Sequence, residues 1–168
     1  RVCNESQGIV TVANYNCPGQ VVISGENEAV ERASIKLKER GARRIVPLKV
    51  SGAFHSPLLK EAGEKLFQML ELITINNPII PYVSNVNGEF IYDKSNIRDL
   101  LSKQVYSPVK WQQSIEKMIT SGVDTFIEIG PGRSLSSFVK KIDSTCRILN
   151  VEKTGDLEKL QEVIHARK

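Results

Sequence analysis

Residues 9–25 read Ile9-Val10-Thr11-Val12-Ala13-Asn14-Tyr15-Asn16-Cys17-Pro18-Gly19-Gln20-Val21-Val22-Ile23-Ser24-Gly25. Two β-branched runs flank Asn16-Cys17-Pro18-Gly19, a strong turn signal because Pro and Gly favour the backbone angles of a tight reversal. The pattern predicts neighbouring antiparallel strands joined by a short connection. A helix is expected next, from about Glu26 to Arg40. Glu26, Glu28 and Glu31 crowd its start and Lys36, Lys38 and Arg40 its end, a polarity that complements the helix dipole. Val30, Ala33 and Leu37 form its apolar stripe, and Gly41 suits the position just past its end.

Arg44-Ile45-Val46-Pro47-Leu48-Lys49-Val50 then reads as a third strand. The order strand, strand, helix, strand matches the last two-thirds of a ferredoxin-like β-α-β-β-α-β unit whose first strand is missing. Residues 1–6 would be the tail of that unit's first helix. Residues 1–50 are therefore expected to form a partial ferredoxin-like subdomain.

From Ser51 the pattern changes. Ser56 is a candidate helix cap with Pro57 at the first helical position, followed by an apolar face of Leu58, Ala62, Leu66, Met69, Leu70 and Ile73. Ile79 to Ser84 is a strand candidate, and Asn87-Gly88 predicts a hairpin-like turn into Glu89-Phe90-Ile91-Tyr92. A short helix is expected over 95–104. Ser107-Pro108 should start another, with Trp111, Ile115, Met118 and Ile119 inward and Gly122 ending it. Asp124 to Ile129 reads as a strand entering Gly130-Pro131-Gly132. A helix with Leu135, Phe138, Val139 and Ile142 inward follows, then a strand from Arg147 to Val151 and a terminal helix from Asp156 to Ala166. Alternating strands and helices predict that residues 51–168 are part of an α/β layered domain.

At 168 residues with 40% apolar and 25% charged residues, the composition is that of a soluble globular protein. No apolar run reaches the roughly 18 residues of a membrane span, and no signal peptide is visible. Cys3, Cys17 and Cys146 lack metal-ligand spacing and predict reduced thiols in a cytoplasmic protein. The chain opens on Arg1 rather than Met, as expected of a processed protein or a piece of a longer one. The net charge is +4. Basic residues at Lys36, Lys38, Arg40, Arg43, Arg44, Lys140 and Lys141 suit a solvated surface, an acidic protein partner or a phosphorylated substrate. Nucleic-acid binding is not indicated, because no aromatic interleaving or known motif accompanies them.

Only two histidines are present. His165 lies near the C-terminus and reads as solvated. His55 falls in Val50-Ser51-Gly52-Ala53-Phe54-His55-Ser56-Pro57-Leu58-Leu59, a turn between a strand-like run and a helix, where an imidazole can transfer protons or simply hydrogen-bond a helix start. No G-x-S-x-G nucleophile elbow occurs in the chain. Cys17 could pair with His55 as a nucleophile, although nothing local would activate it. Gly130-Pro131-Gly132 could present amides to an anion or serve only as a tight turn. No metal-ligand cluster is evident, and no permanently bound cofactor is implied.

Ala13 to Gly25 resembles the small-subdomain signature of malonyl-CoA:acyl carrier protein transacylases, and Gly52-Ala53-Phe54-His55-Ser56-Pro57-Leu58 resembles that family's histidine loop. Gln104-Val105-Tyr106-Ser107-Pro108-Val109-Lys110-Trp111 and Glu128-Ile129-Gly130-Pro131-Gly132-Arg133-Ser134-Leu135 are similar to its next two signatures, in the same order. The resemblance implies a ferredoxin-like small subdomain followed by the C-terminal part of an α/β-hydrolase-like acyltransferase domain. It implies ping-pong transfer of malonyl from malonyl-CoA, through a serine, to the phosphopantetheine thiol of acyl carrier protein in fatty acid synthesis. His55 matches the catalytic histidine, and Gln104 a residue whose backbone carbonyl orients it. Phe54 matches a position where Phe accompanies malonyl and Ser the bulkier methylmalonyl. Asn14 and Asn16 match positions near the coenzyme arm. The family's serine, its carboxylate-pairing arginine and its oxyanion donors have no counterpart in these residues. The expected partners are acyl carrier protein, a coenzyme A thioester and the missing N-terminal half, and the chain alone is expected to be inactive. The competing expectations are a non-catalytic module that binds an acidic carrier protein, and a hydrolase using Cys17 and His55.

Overall fold

The N-terminal hairpin forms where its sequence places it. In the computed structural model, which describes residues 1–165, β1 (Val10–Cys17) and β2 (Gln20–Gly25) pair antiparallel across Pro18-Gly19. Gly19 takes φ 77°, a conformation open to glycine at no steric cost. The register slips between Val12 and Asn14 and again between Tyr15 and Cys17. Each slip puts an extra residue in β1 and resets its inside–outside alternation. The buried residues of β1 are accordingly Val10, Ala13 and Cys17, not every second one. α1 (Asn27–Glu39) lays Ala29 and Ala33 against Val10 and Val2, with Ile23, Val30 and Leu37 around them. Residues 1–6 hold only a 3-10 turn, Cys3–Glu5, in this part of the fold.

The expected third strand does not form. Residues 44–50 belong to no strand, and their one backbone bond within the segment is local, from Val50 N–H to Leu48 O at 3.1 Å. A strand exists only through a neighbour's hydrogen bonds, and no described strand runs beside this segment. Pro47 also removes one donor. Ile45, Val46, Leu48 and Val50 are exposed as a result.

Beyond it, a 3-10 turn (Pro57–Leu59) leads into α2 (Lys60–Glu71). Ser56 does not cap that helix: its Oγ donates back to Ala53 O at 2.7 Å. The strand expected over 79–84 shrinks to β3 (Tyr82–Val83), because Pro78 and Pro81 deprive the segment of donors and Ile79 is fully exposed. β3 pairs antiparallel with β4 (Phe90–Ile91) across the predicted Asn87-Gly88 turn. α3 (Ile97–Gln104) lies on α2. The next helix, α4 (Trp111–Thr120), starts later than expected. Val109 first bonds to β1, accepting from Tyr15 N–H at 2.9 Å and donating to Ala13 O at 2.8 Å. That bridge ties the hairpin to the rest of the chain.

The last unit is a parallel crossover. β5 (Thr125–Ile129), α5 (Ser134–Ile142) and β6 (Arg147–Val151) follow in order, and β6 leads to α6 (Asp156–His165). Ile115, Val139 and Cys146 form the core here, packed by Trp111, Met118, Ile119, Phe126, Ile142 and Ile148. Burying a side chain such as Ile115 contributes about 1.5–3 kcal/mol. Parallel sheets are ordinarily covered on both faces. This one is not: Ile127 is exposed and Ile129 is 79% exposed on the face away from that core. Ala166, the expected end of α6, and the side chain of His165 lie outside the described residues.

Candidate active site

Two helices and a turn build the site. The turn that carries His55 leaves the irregular 44–50 segment and enters the Pro57–Leu59 3-10 turn. His55 has φ 57°, the one positive value among described non-glycine residues. A residue with a Cβ holds this conformation only when its surroundings determine it. Here the end of α3 does so. His55 N–H donates to Val105 O at 3.2 Å, and the ring Nδ1 lies 2.9 Å from Gln104 O. The last carbonyls of a helix lack partners within it, and His55 supplies donors to two successive ones.

This contact decides the tautomer. A carbonyl oxygen only accepts, so Nδ1 must carry the proton, and Nε2 of the neutral ring keeps its lone pair. The ring sits in a groove of about 470 Å³ lined by Phe54, Leu59, Ala62, Leu66, Leu101, Gln104 and Val105. It is an oriented base between apolar walls. The C-terminal end of α3 carries partial negative charge that complements an imidazolium once formed.

Phe54 and Gln104 thus share the His55 groove. Phe54 is 51% exposed. Only the backbone of Gln104 holds His55; its side-chain Oε1 accepts from Asn85 Nδ2 at 3.5 Å. Asn14 and Asn16 lie on β1 and do not line this groove. Asn14 stands opposite Val22 and forms the bridge to Val109. Cys17 is buried at the end of β1, 4.0 Å from Gln20 Oε1, and is not part of the His55 groove. The groove lining contains no Ser, Thr or Cys. Ser56, next to His55, is fully buried with its hydroxyl committed to Ala53 O, so it is not placed to act as a nucleophile.

The glycine turn after β5 has its amides occupied from within. Glu128 accepts from Leu135 N–H at 3.1 Å and Ser136 N–H at 2.8 Å, and Asn150 Nδ2 donates to it at 3.0 Å. Gly132 N–H donates to Glu152 at 3.4 Å, and Gly130 N–H to Val151 O at 3.0 Å. Burial would raise the Glu128 pKa, but the bonds from Ser136, Leu135 and Asn150 outweigh it and hold the carboxyl below its ordinary value. The sequence offers no local capping pattern for this, because Glu128 lies on the preceding strand, seven and eight residues from the amides it serves. Part of the basic face is likewise engaged: Lys36 donates to Glu5 O, and Arg40 pairs with the Glu5 carboxylate. Arg40 and Arg1 hold Glu5 below the usual carboxylate range. Among the described residues no group of His, Cys, Asp and Glu is arranged to hold a metal, and no helix is long and apolar enough to cross a membrane.

Comparison with known proteins places this geometry. The family described as acyl transferase domain matches residues 3–159. The malonyl CoA-acyl carrier protein transacylase of Bacillus subtilis is 46% identical over 154 residues, covering 92% of this chain and 49% of that protein. The Haemophilus influenzae protein of the same name is 39% identical over 160 residues, 95% of this chain and 51% of its own. Among solved structures, malonyl CoA-acyl carrier protein transacylase from Clostridium perfringens superposes with a TM-score of 0.92 at 48% identity, over 99% of this chain and 53% of that one. A malonyl-transacylase solved with a type II polyketide acyl-carrier protein gives 0.93 at 42% identity, over 96% of this chain and 53% of that one. The chain spans about half the length of the relatives it matches. The chain therefore belongs to the acyl transferase domain family.

Proposed function

We propose that this chain supplies the general-base side of a malonyl-CoA:acyl carrier protein transacylase acting in fatty acid synthesis. The observation that carries the reading is the 2.9 Å contact of His55 Nδ1 with Gln104 O, which leaves Nε2 as a free base in the groove. In this reading Nε2 takes the proton of a serine hydroxyl as the serine oxygen attacks the malonyl thioester. It then returns that proton to the departing coenzyme A sulfur. In the second half-reaction it takes the proton of the carrier protein's phosphopantetheine thiol. The thiolate attacks the malonyl-serine ester, and the proton goes back to the serine oxygen. General-base help of this kind contributes about 10²–10⁴-fold. Phe54 stands at the groove edge to limit the acyl group, with Asn14 and Asn16 assigned to the coenzyme arm. Residues 1–50 act as the small subdomain and residues 51–168 as part of the large one.

The serine, the arginine for the malonyl carboxylate and the oxyanion donors would come from the other half of such a domain. That half would cover the exposed β5 face. No permanent cofactor enters this scheme; malonyl-CoA is a substrate, and the setting is cytoplasmic.

The test is transfer of [14C]malonyl from malonyl-CoA to phosphopantetheinylated carrier protein. The complete domain is expected to transfer and to show a covalently labelled enzyme, the 168-residue chain alone to take no label, and His55→Ala in the complete domain to lose transfer. Covalent label on this chain alone would show that a nucleophile lies within it and would overturn the reading. Full transfer by His55→Ala would overturn the reading.

A further inference from the structure

We propose that Ser102 is a positioning residue for His55, acting through the C-terminal end of α3; this rests on the reading of His55 as the general base. α2 and α3 make their close approach at Gly63. A Cβ there would stand 2.5 Å from Tyr106 Cδ1 and 2.8 Å from Ser102 O, so a side chain at 63 would force the helices apart. Glycine weakens a helix interior, and here it permits the approach. Ser102 fastens it: the residue is 5% exposed, and its Oγ donates to Gly63 O at 2.8 Å.

Ser102 is also the residue from which α3 begins to end. Val105 N–H donates to Ser102 O at 3.2 Å, and Tyr106 and Ser107 N–H both donate to Lys103 O, at 3.1 and 2.8 Å. Those bonds leave the next two carbonyls, of Gln104 and Val105, for His55 Nδ1 and N–H. One connected path therefore runs from Gly63 O through the Ser102 hydroxyl and the last turn of α3 to the imidazole. The same bond spaces the groove walls, with Leu59, Ala62 and Leu66 on the side of α2 and Leu101 and Gln104 on α3. A buried bond between packed helices fixes where the two-carbonyl cradle stands, and a misplacement of about 1 Å at a reacting group can cost about 10²-fold.

The experiment uses the complete domain carrying Ser102→Ala, with Ser102→Thr as the variant that keeps the hydroxyl. Two quantities are read: steady-state malonyl transfer, and the His55 tautomer from long-range 1H–15N correlation spectra. The wild type is expected to show a single Nδ1–H tautomer. Ser102→Ala is expected to lower kcat about tenfold with KM for malonyl-CoA within about twofold, a partial loss of the general-base contribution. Its His55 spectrum should become a mixture of tautomers, and Ser102→Thr should restore both readouts. A lowered melting temperature with kcat and tautomer unchanged would reduce Ser102 to an ordinary packing contact and overturn the proposal. If Ser102→Ala does not fold, Ser102→Cys, which keeps the volume with a weak donor, is judged by the same two readouts. His55→Ala run in parallel separates the cases: if it retains transfer, the general-base reading fails; if only Ser102→Ala retains it, the positioning proposal fails alone.

Discussion

Replacing Gln104 by alanine should leave malonyl transfer nearly intact, while replacing His55, its neighbour across the groove, should abolish most of it. The reasoning starts from which atoms of Gln104 do work. Its carbonyl accepts Nδ1–H of His55 at 2.9 Å, and a substitution of the side chain retains that carbonyl. Its side-chain amide makes a single long bond, from Asn85 Nδ2 at 3.5 Å, at the outer limit of hydrogen-bond geometry. Such a bond is worth no more than about 0.5 kcal/mol, the lower end of the usual range. Even if all of it were expressed in the transition state, the rate would change by about twofold. His55→Ala removes the base itself, an expected loss of about 10²–10⁴-fold, or about 3–5 kcal/mol of barrier. The two variants of adjoining residues should therefore differ by about two to four orders of magnitude. Initial rates of [14C]malonyl transfer by the complete domain measure both, with a melting curve for each variant to establish folding. If Gln104→Ala, still folded, fell as far as His55→Ala, the side-chain amide and not the main chain would be holding the ring, and the tautomer argument would collapse.

Three further outcomes are expected. Phe54→Ser opens the groove edge and should raise the methylmalonyl-to-malonyl ratio of kcat/KM by about 10-fold or more, from the 1–3 kcal/mol that one methyl commonly discriminates; an unchanged ratio would remove Phe54 from the acyl pocket. Glu128→Ala uncaps α5. Because the Glu128 carboxyl is held below its ordinary value in the folded chain, its stabilisation is complete above about pH 4.3 and fades as pH falls through the lowered folded value. The variant should thus melt lower than the wild type at pH 6, with the gap narrowing toward pH 3; a gap independent of pH would contradict the ionised cap. The isolated 168-residue chain should bind a hydrophobic dye through Leu72, Ile79, Ile80 and Ile129, all exposed; a dye-negative monomer would show that this surface is covered in solution.

Local chemistry made much of the fold legible. The hairpin of residues 9–25, the charge polarity of α1, the Asn87-Gly88 turn and the inward face of α4 depend on neighbours a few residues apart, whereas Leu135, expected inward on α5, is exposed. The misses came where a partner decides. Residues 44–50 have the composition of a strand but no strand beside them. The start of α4 was displaced because Val109 is drawn to β1 first, and the bulges of β1 exist only in its pairing with β2.

The same division governs the site. By itself the sequence determined the histidine turn, the glycine-rich turn after a strand and the four ordered signatures that mark the family. Spacing alone did not join His55 to Gln104, which are 49 residues apart; the resemblance implied the link and the packing of α3 against the turn realises it. Only the tertiary structure decided that the Ser102 hydroxyl reaches Gly63 and that Glu128 already fills the α5 N-terminus. Periodicity and turn preference act through bonded neighbours and can be read along the chain. Tautomers, helix caps from distant strands and backbone close approaches depend on where packing brings separate segments together, and that is set by the whole fold.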